Sequence, residues 1–83
     1  MNIADSTVTD FQTDGVVVLR GVFRDWVAPL AQGVAEVMAH PSALERSYQP
    51  RDGSAPFFQD LCNWQRIAAF RAFIYESPAA EIA

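Results

Sequence analysis

Cysteine and histidine are almost missing from this chain, and lysine is missing altogether. Among the 83 residues there is one cysteine, Cys62, and one histidine, His40. One cysteine excludes an intrachain disulfide and a cysteine-rich zinc site. One histidine excludes a multi-histidine metal centre built from this chain. The six basic residues are all arginine (Arg20, Arg24, Arg46, Arg51, Arg66 and Arg71), against ten acids, for a net charge of −4. An acidic chain with scattered arginines does not hold a phosphate backbone, so no nucleic-acid partner is expected. No apolar run approaches the roughly 18–20 residues that span a bilayer, so no membrane partner is expected either. The opening Met1-Asn2-Ile3-Ala4-Asp5 lacks the basic flank and apolar stretch of a secretory signal. The expectation is a cytoplasmic protein with Cys62 reduced.

What is present points to a folded chain. Hydrophobic residues make up 51% and charged residues 19%, which is not the composition of a solvated coil. The length allows one small domain at most. Such a chain buries about 60–65% of its unfolded surface and is marginal without staples.

Residues 7–14 read as a short helix, capped by Ser6 or Thr7, with Val8 and Phe11 on one face. Gly15 is placed to stop it in the left-handed conformation. The β-branched run Val16-Val17-Val18-Leu19 then reads as a buried strand, ended by Arg20-Gly21. Residues 25–39 form the clearest helical pattern. Asp25 is the candidate N-cap, Pro29 lies in the first turn, and Val27, Leu30, Val34, Val37 and Met38 make an apolar stripe. Gly33 inside that helix costs about 1 kcal/mol relative to alanine, so it marks either close packing or a tolerated defect. His40-Pro41 ends the helix. Residues 41–56 are rich in turn formers, including Pro41, Pro50, Asp52-Gly53-Ser54 and Pro56. Asn63 is the candidate cap of a third helix from Trp64 to about Tyr75, whose stripe is Trp64, Ile67, Phe70 or Arg71, and Ile74, with Phe73 alongside. Ser77-Pro78-Ala79-Ala80-Glu81 has the signature of a further helix start. A helix of about six residues is not stable alone. The natural chain is therefore expected to continue past Ala83, the other reading being a kinked tail on the preceding helix.

Two stretches carry a resemblance. Phe11-Gln12-Thr13-Asp14-Gly15-Val16-Val17-Val18-Leu19-Arg20-Gly21-Val22-Phe23 resembles the opening helix and strand of the phytanoyl-CoA dioxygenase family, and a long helix follows there as residues 25–39 do here. Phe57-Phe58-Gln59-Asp60-Leu61-Cys62-Asn63-Trp64-Gln65-Arg66-Ile67, then Phe70-Arg71-Ala72-Phe73 and Ser77-Pro78-Ala79-Ala80, is similar to a later segment of bacterial members. The resemblance covers residues 7–83. It implies an α+β fold class: a mostly helical N-terminal segment with one or two short strands, packed on a double-stranded β-helix (jelly-roll) core. Residues 1–83 would then be a single partial domain, with 1–6 a flexible start. The implied activity is that of an Fe(II)- and 2-oxoglutarate-dependent dioxygenase hydroxylating a small organic or acyl substrate. The implied partner is the C-terminal jelly-roll portion of the same enzyme.

In that family iron is held by a His-x-Asp pair and a distant second histidine, and an arginine beyond it holds the far carboxylate of oxoglutarate. Here His40 is followed by Pro41-Ser42, and there is no second histidine. No arginine can take the oxoglutarate role, since its place is defined from that histidine. No catalytic, cofactor-binding or metal-binding residue is assigned, and the chain alone is expected to be inactive. Iron and 2-oxoglutarate are implied only for the full-length enzyme.

Each chemistry-bearing residue also has a structural role open to it. His40 is a metal ligand or a helix C-cap, and the C-cap is preferred. Cys62 is a nucleophile or a small buried hydrophobe, and the hydrophobe is preferred. Asp14 and Asp60 are a carboxylate pair, or respectively a turn former and a cap or ion-pair partner of Arg66. Arg66 and Arg71 bind an acyl-CoA phosphate or are solvated and ion-paired; five apart on a helix, they share a face poorly. Phe57, Phe58, Trp64, Phe70 and Phe73 line a substrate mouth or form the face that docks on the jelly roll, and docking is preferred. The rival to the enzyme reading is a small non-catalytic α+β interaction module, whose aromatic face serves dimer or partner binding.

Overall fold

The structure, a computed structural model, describes all of residues 1–83. Helix α1 spans Asp5–Asp14. It starts ahead of Ser6 and Thr7, so neither caps it. Ala4 is the N-cap, and its carbonyl accepts the N–H groups of Thr7 and Val8. Asp5 places a carboxylate at the positive end of the helix, where it is favoured. Gly15 ends α1 as the sequence predicts, at φ 75° with its N–H bonded to Phe11 O at 2.7 Å.

The expected strand at residues 16–19 does not form. These residues make no backbone hydrogen bond, because no second strand lies beside them. Their exposure nevertheless alternates as a strand's does: Val16 and Val18 are 65% and 69% exposed, while Val17 and Leu19 are half-buried. Gly21, at φ 73°, turns the chain into a 3-10 turn at Arg24–Trp26, and helix α2 follows at Val27–Ala39. Asp25 lies inside the 3-10 turn and does not cap α2; Trp26 occupies the cap position. His40 is the C-cap, its N–H bonded to Glu36 O at 3.0 Å.

Helix α3 spans Ala68–Glu76, four residues shorter at its start than the sequence predicts. Residues 64–66 form a turn instead, closed by Ile67 N–H to Asn63 O at 3.1 Å. Asn63 does not cap the helix, since its Oδ1 accepts from Arg66 Nε at 2.8 Å. The short helix α4, Ala79–Ile82, begins where Ser77-Pro78 predicts a start, and the Ser77 hydroxyl accepts the Ala79 N–H at 3.2 Å. The one β feature is an isolated antiparallel bridge between Tyr48 and Phe57. The chain is therefore mostly helical, and the strand content expected of an α+β fold is reduced to that bridge.

Helix α2 packs across α3, and α4 packs on α3. Gly33 makes the α2–α3 approach possible. A Cβ built there would lie 2.6 Å from Phe70 Cε1, so the close-packing reading of this glycine holds. Val37 of α2 and Ile67 at the mouth of α3 are the buried apolar side chains. Phe73 completes this core from α3, with its ring 5.3 Å from Phe23 and 5.7 Å from Trp26.

The molecule is long and open, at 48 × 30 × 20 Å with a radius of gyration of 16.7 Å. A compact domain of this length has a radius near 12 Å (about 2.2·N^0.38). Its accessible surface of 6652 Å² exceeds the roughly 4,900 Å² of a compact monomer of 9.2 kDa by about 1,700 Å².

Candidate functional site: an aspartate staple beside apolar hollows

The polar centre of the molecule is Asp60. Its side chain is 1% exposed, the deepest carboxylate in an ion pair here. Oδ1 accepts the Ser42 hydroxyl at 2.5 Å and the Leu61 N–H at 2.8 Å, and Oδ2 accepts the Ser42 N–H at 2.7 Å. Arg66 Nη2 approaches Oδ2 at 3.8 Å and donates to the His40 carbonyl at 2.8 Å. One carboxylate thus closes the loop between α2 and α3, joining Ser42 at its start to Asp60 at its end. Arg66 ties the same node to the C-terminus of α2. A guanidinium on the final carbonyl of a helix satisfies an acceptor that the helix leaves free.

Burial pushes the Asp60 carboxyl up, and the hydrogen bonds from Ser42, Leu61 and Asn63 overcome it, leaving its pKa at about 2, below the ordinary 3.8. A carboxylate with this many donors is a fixed anion and a poor proton acceptor at neutral pH. Its folded-state pKa is depressed, so it stabilises the fold above its unfolded value and loses that effect as pH falls from about 4 through about 2. Asp60→Asn turns an NH2 toward the Ser42 donors. The variant is expected to melt at lower temperature at neutral pH, and its melting temperature should fall less than that of the parent between pH 4 and pH 2. Equal acid sensitivity in the two proteins would place the staple elsewhere.

Two apolar hollows flank the staple. One, of about 340 Å³, is walled by Leu30, Trp64, Phe73 and Ile74, with Cys62 at its edge. The other, of about 310 Å³, lies between Val34, Val37, Phe57, Phe58 and Phe70. A third groove, of about 530 Å³, runs under α1 between Ile3, Val8, Phe11, Val17, Leu19 and Ile82. There the N-terminal amine of Met1 meets Glu81 at 3.0 Å.

The five aromatics expected to form one face are divided among separate contacts. Phe70 lies over Gly33, and Phe73 meets Phe23 at a tilt and Trp26 edge to face. Trp64 faces Tyr75 at 6.2 Å, Phe58 is half-buried, and Phe57 is 63% exposed. The contacts of Phe23 and Trp26 with Phe73 leave no signature in the sequence, because the 3-10 turn that aims them has no apolar period to reveal it. The Asp60–Arg66 pairing was legible, since three-to-six residue spacings across a turn bring such groups together. The Ser42–Asp60 contact spans a loop and leaves no local signature.

The remaining candidates are dispersed. Asp14 ends α1 and does not reach Asp60; no three His, Cys, Asp or Glu side chains come together anywhere. His40 is exposed at its helix end. Cys62, expected to be buried, is exposed and sits at φ 60°. The chain must turn sharply between the anchored Asp60 and the buried Asn63, and this left-handed residue makes the turn with its thiol outward. Arg71 is exposed and forms no ion pair. No helix is long and apolar enough to cross a membrane.

The chain matches no family model, no curated protein and no solved structure.

Proposed function

We propose that this chain is a helical N-terminal segment of an Fe(II)- and 2-oxoglutarate-dependent dioxygenase resembling phytanoyl-CoA dioxygenase, and that its α2–α3 pair braces a jelly-roll core. The observation that carries the reading is the surplus of accessible surface, with many large apolar side chains exposed on it, on a chain with a tightly interlocked helix pair. Val34, Phe57 and Ile74 stand more than two-fifths exposed on the walls of the hollows beside Asp60, and Met38 and Leu61 are more than half exposed elsewhere on the surface. About 1,700 Å² of surplus surface is twice what one partner of an ordinary interface covers, roughly 800 Å². The second stretch that resembles the family, residues 57–67 and 70–73, runs along these hollows and into α3.

The residues of this chain do not fit iron or 2-oxoglutarate. A facial triad needs two imidazoles and a carboxylate. His40 is a lone imidazole, and Asp60 is already saturated by Ser42 and Leu61. No oxidative step is assigned to these residues. Their part in the intact enzyme is to support the core that carries the chemistry, which hydroxylates a small organic or acyl substrate.

The test is to read the genomic frame downstream of the Ala83 codon. An open frame with His-x-Asp, a later histidine and an arginine beyond it is the expected result. A stop codon there, or an open frame without those ligands, overturns the dioxygenase reading and leaves the second one. In that second reading the chain is a non-catalytic interaction module, favoured by the Gly33–Phe70 interlock, which holds α2 and α3 together without any further element.

A further inference from the structure

The chain holds two Asp-Gly pairs, Asp14-Gly15 and Asp52-Gly53, and the fold treats them differently. An aspartyl carboxyl followed by glycine is open to attack by the glycine's own amide nitrogen, since no side chain on that residue hinders the approach. All four residues are exposed, and a Cβ built on either glycine meets nothing within 4 Å, so access does not separate the two pairs. Hydrogen bonding does. Asp14 is the last residue of α1, and the Gly15 N–H is committed to Phe11 O at 2.7 Å. Asp52 lies in the loop between α2 and α3, in a turn at residues 51–52. No hydrogen bond from the Gly53 N–H there meets ordinary distance and angle limits. Asp52 Oδ1 instead accepts the N–H of Ser54, two residues on, at 2.9 Å. A carboxyl held in that way lies back over the intervening Gly53 peptide.

We propose that Asp52 is the residue at which this chain isomerises to isoaspartate as it ages, while the end of α1 protects Asp14. The Gly53 nitrogen gives its proton to water and bonds to Asp52 Cγ. A Cγ–O bond breaks, and that oxygen leaves as water, closing a five-membered succinimide. Water then opens the ring. Entry at Cγ restores aspartate. Entry at the main-chain carbonyl of Asp52 breaks its bond to the Gly53 nitrogen and leaves the chain running through Cγ. One water leaves and one returns, so no co-reactant is needed. The isomer carries an extra methylene in the loop backbone, and the carboxylate that accepts the Ser54 N–H is displaced. The inference rests on residues 52–54 and on the end of α1, whereas the proposed function rests on α2, α3 and their hollows, so the two stand or fall separately.

Prolonged incubation of the 83-residue chain, in parallel with and without urea, tests the proposal, with circular dichroism following the helices. The side chain and N–H of Ser54 hold the Asp52 carboxyl below its ordinary 3.8, and the neutral acid is the form attacked, so a mildly acid buffer is used. The chymotryptic peptides carrying each aspartate are then separated. The isomer has the same mass, elutes apart and resists a protease that cuts before aspartate. Without urea, isoaspartate at 52 should exceed that at 14 by roughly fivefold or more, the effect of first breaking one hydrogen bond at the helix end. In urea the two should form at similar rates, since glycine follows both. Gly53→Ala should suppress the isomer at 52 and leave that at 14 unchanged. Equal accumulation at the two sites without urea overturns the proposal. So does a preference for 52 that survives in urea, an isomer at 52 that Gly53→Ala does not reduce, or none at 52 without urea once both sites have converted in urea.

Discussion

Replacing Ile67 by alanine is expected to lower the stability of this chain by about 3 kcal/mol, within the range of 2–5 for a wholly buried isoleucine. Ile67 is 1% exposed and is the largest fully buried side chain. Its Cγ2 lies against the Gly33 position of α2, while its carbonyl accepts the N–H groups of Phe70 and Arg71 and so starts α3. Truncation removes the apolar contact that joins the two helices at the point where the second begins. A chain this short holds roughly 4–12 kcal/mol in total, and few buried residues place this one at the low end. The loss should therefore broaden or abolish the cooperative melt. Val34→Ala on α2, 47% exposed, provides the comparison and should cost under about 1 kcal/mol. Urea unfolding followed by circular dichroism measures both. Similar losses for the two variants would mean that Ile67 is not the centre of the core.

Local rules worked where the backbone needs one residue type. Gly15 stops α1 because only a residue without Cβ takes the left-handed conformation cheaply, and Gly33 marks the helix crossing because nothing larger fits. They failed where a side chain had a competing use. Asn63 was a sound capping candidate, but its amide oxygen binds Arg66 instead, so α3 starts later at Ala68. Asp25 was another, but the preceding turn absorbs it and passes the cap position to Trp26. Residues 16–19 have strand character in composition and exposure, yet a strand is completed by a neighbour that the sequence of one segment does not specify. The centre of the candidate site was half legible for the same reason. Asp60 with Arg66 is a local pairing; Asp60 with Ser42 depends on how the whole intervening loop folds back.

Gly33→Val is expected to destabilise the chain by about 3 kcal/mol, at the upper end of what overpacking costs. The two effects of the substitution oppose each other. Leaving glycine for any side chain relieves up to about 1 kcal/mol of helix-propensity cost. Against that, the first added carbon already meets Phe70 Cε1 at 2.6 Å, Phe70 Cδ1 at 3.1 Å and Ile67 Cγ2 at 3.3 Å. The nearest of these is a ring atom on the facing helix, held by its own packing, and two more methyl groups follow the Cβ. Valine must push α3 away or force Phe70 from its rotamer, and either opens the contact that holds Val37 and Ile67 out of water. Gly33→Ala should lie between, at about 1 kcal/mol of net loss, since its gain in propensity partly cancels the clash. Shortening the facing ring separates the clash from any intrinsic effect on the helix. In the Phe70→Leu background, Gly33→Ala should become neutral or stabilising, a coupling of about 1 kcal/mol between two residues in contact. An unchanged cost in that background would mean that Phe70 does not meet Gly33, and the interlock on which the α2–α3 pair depends would have to be redrawn.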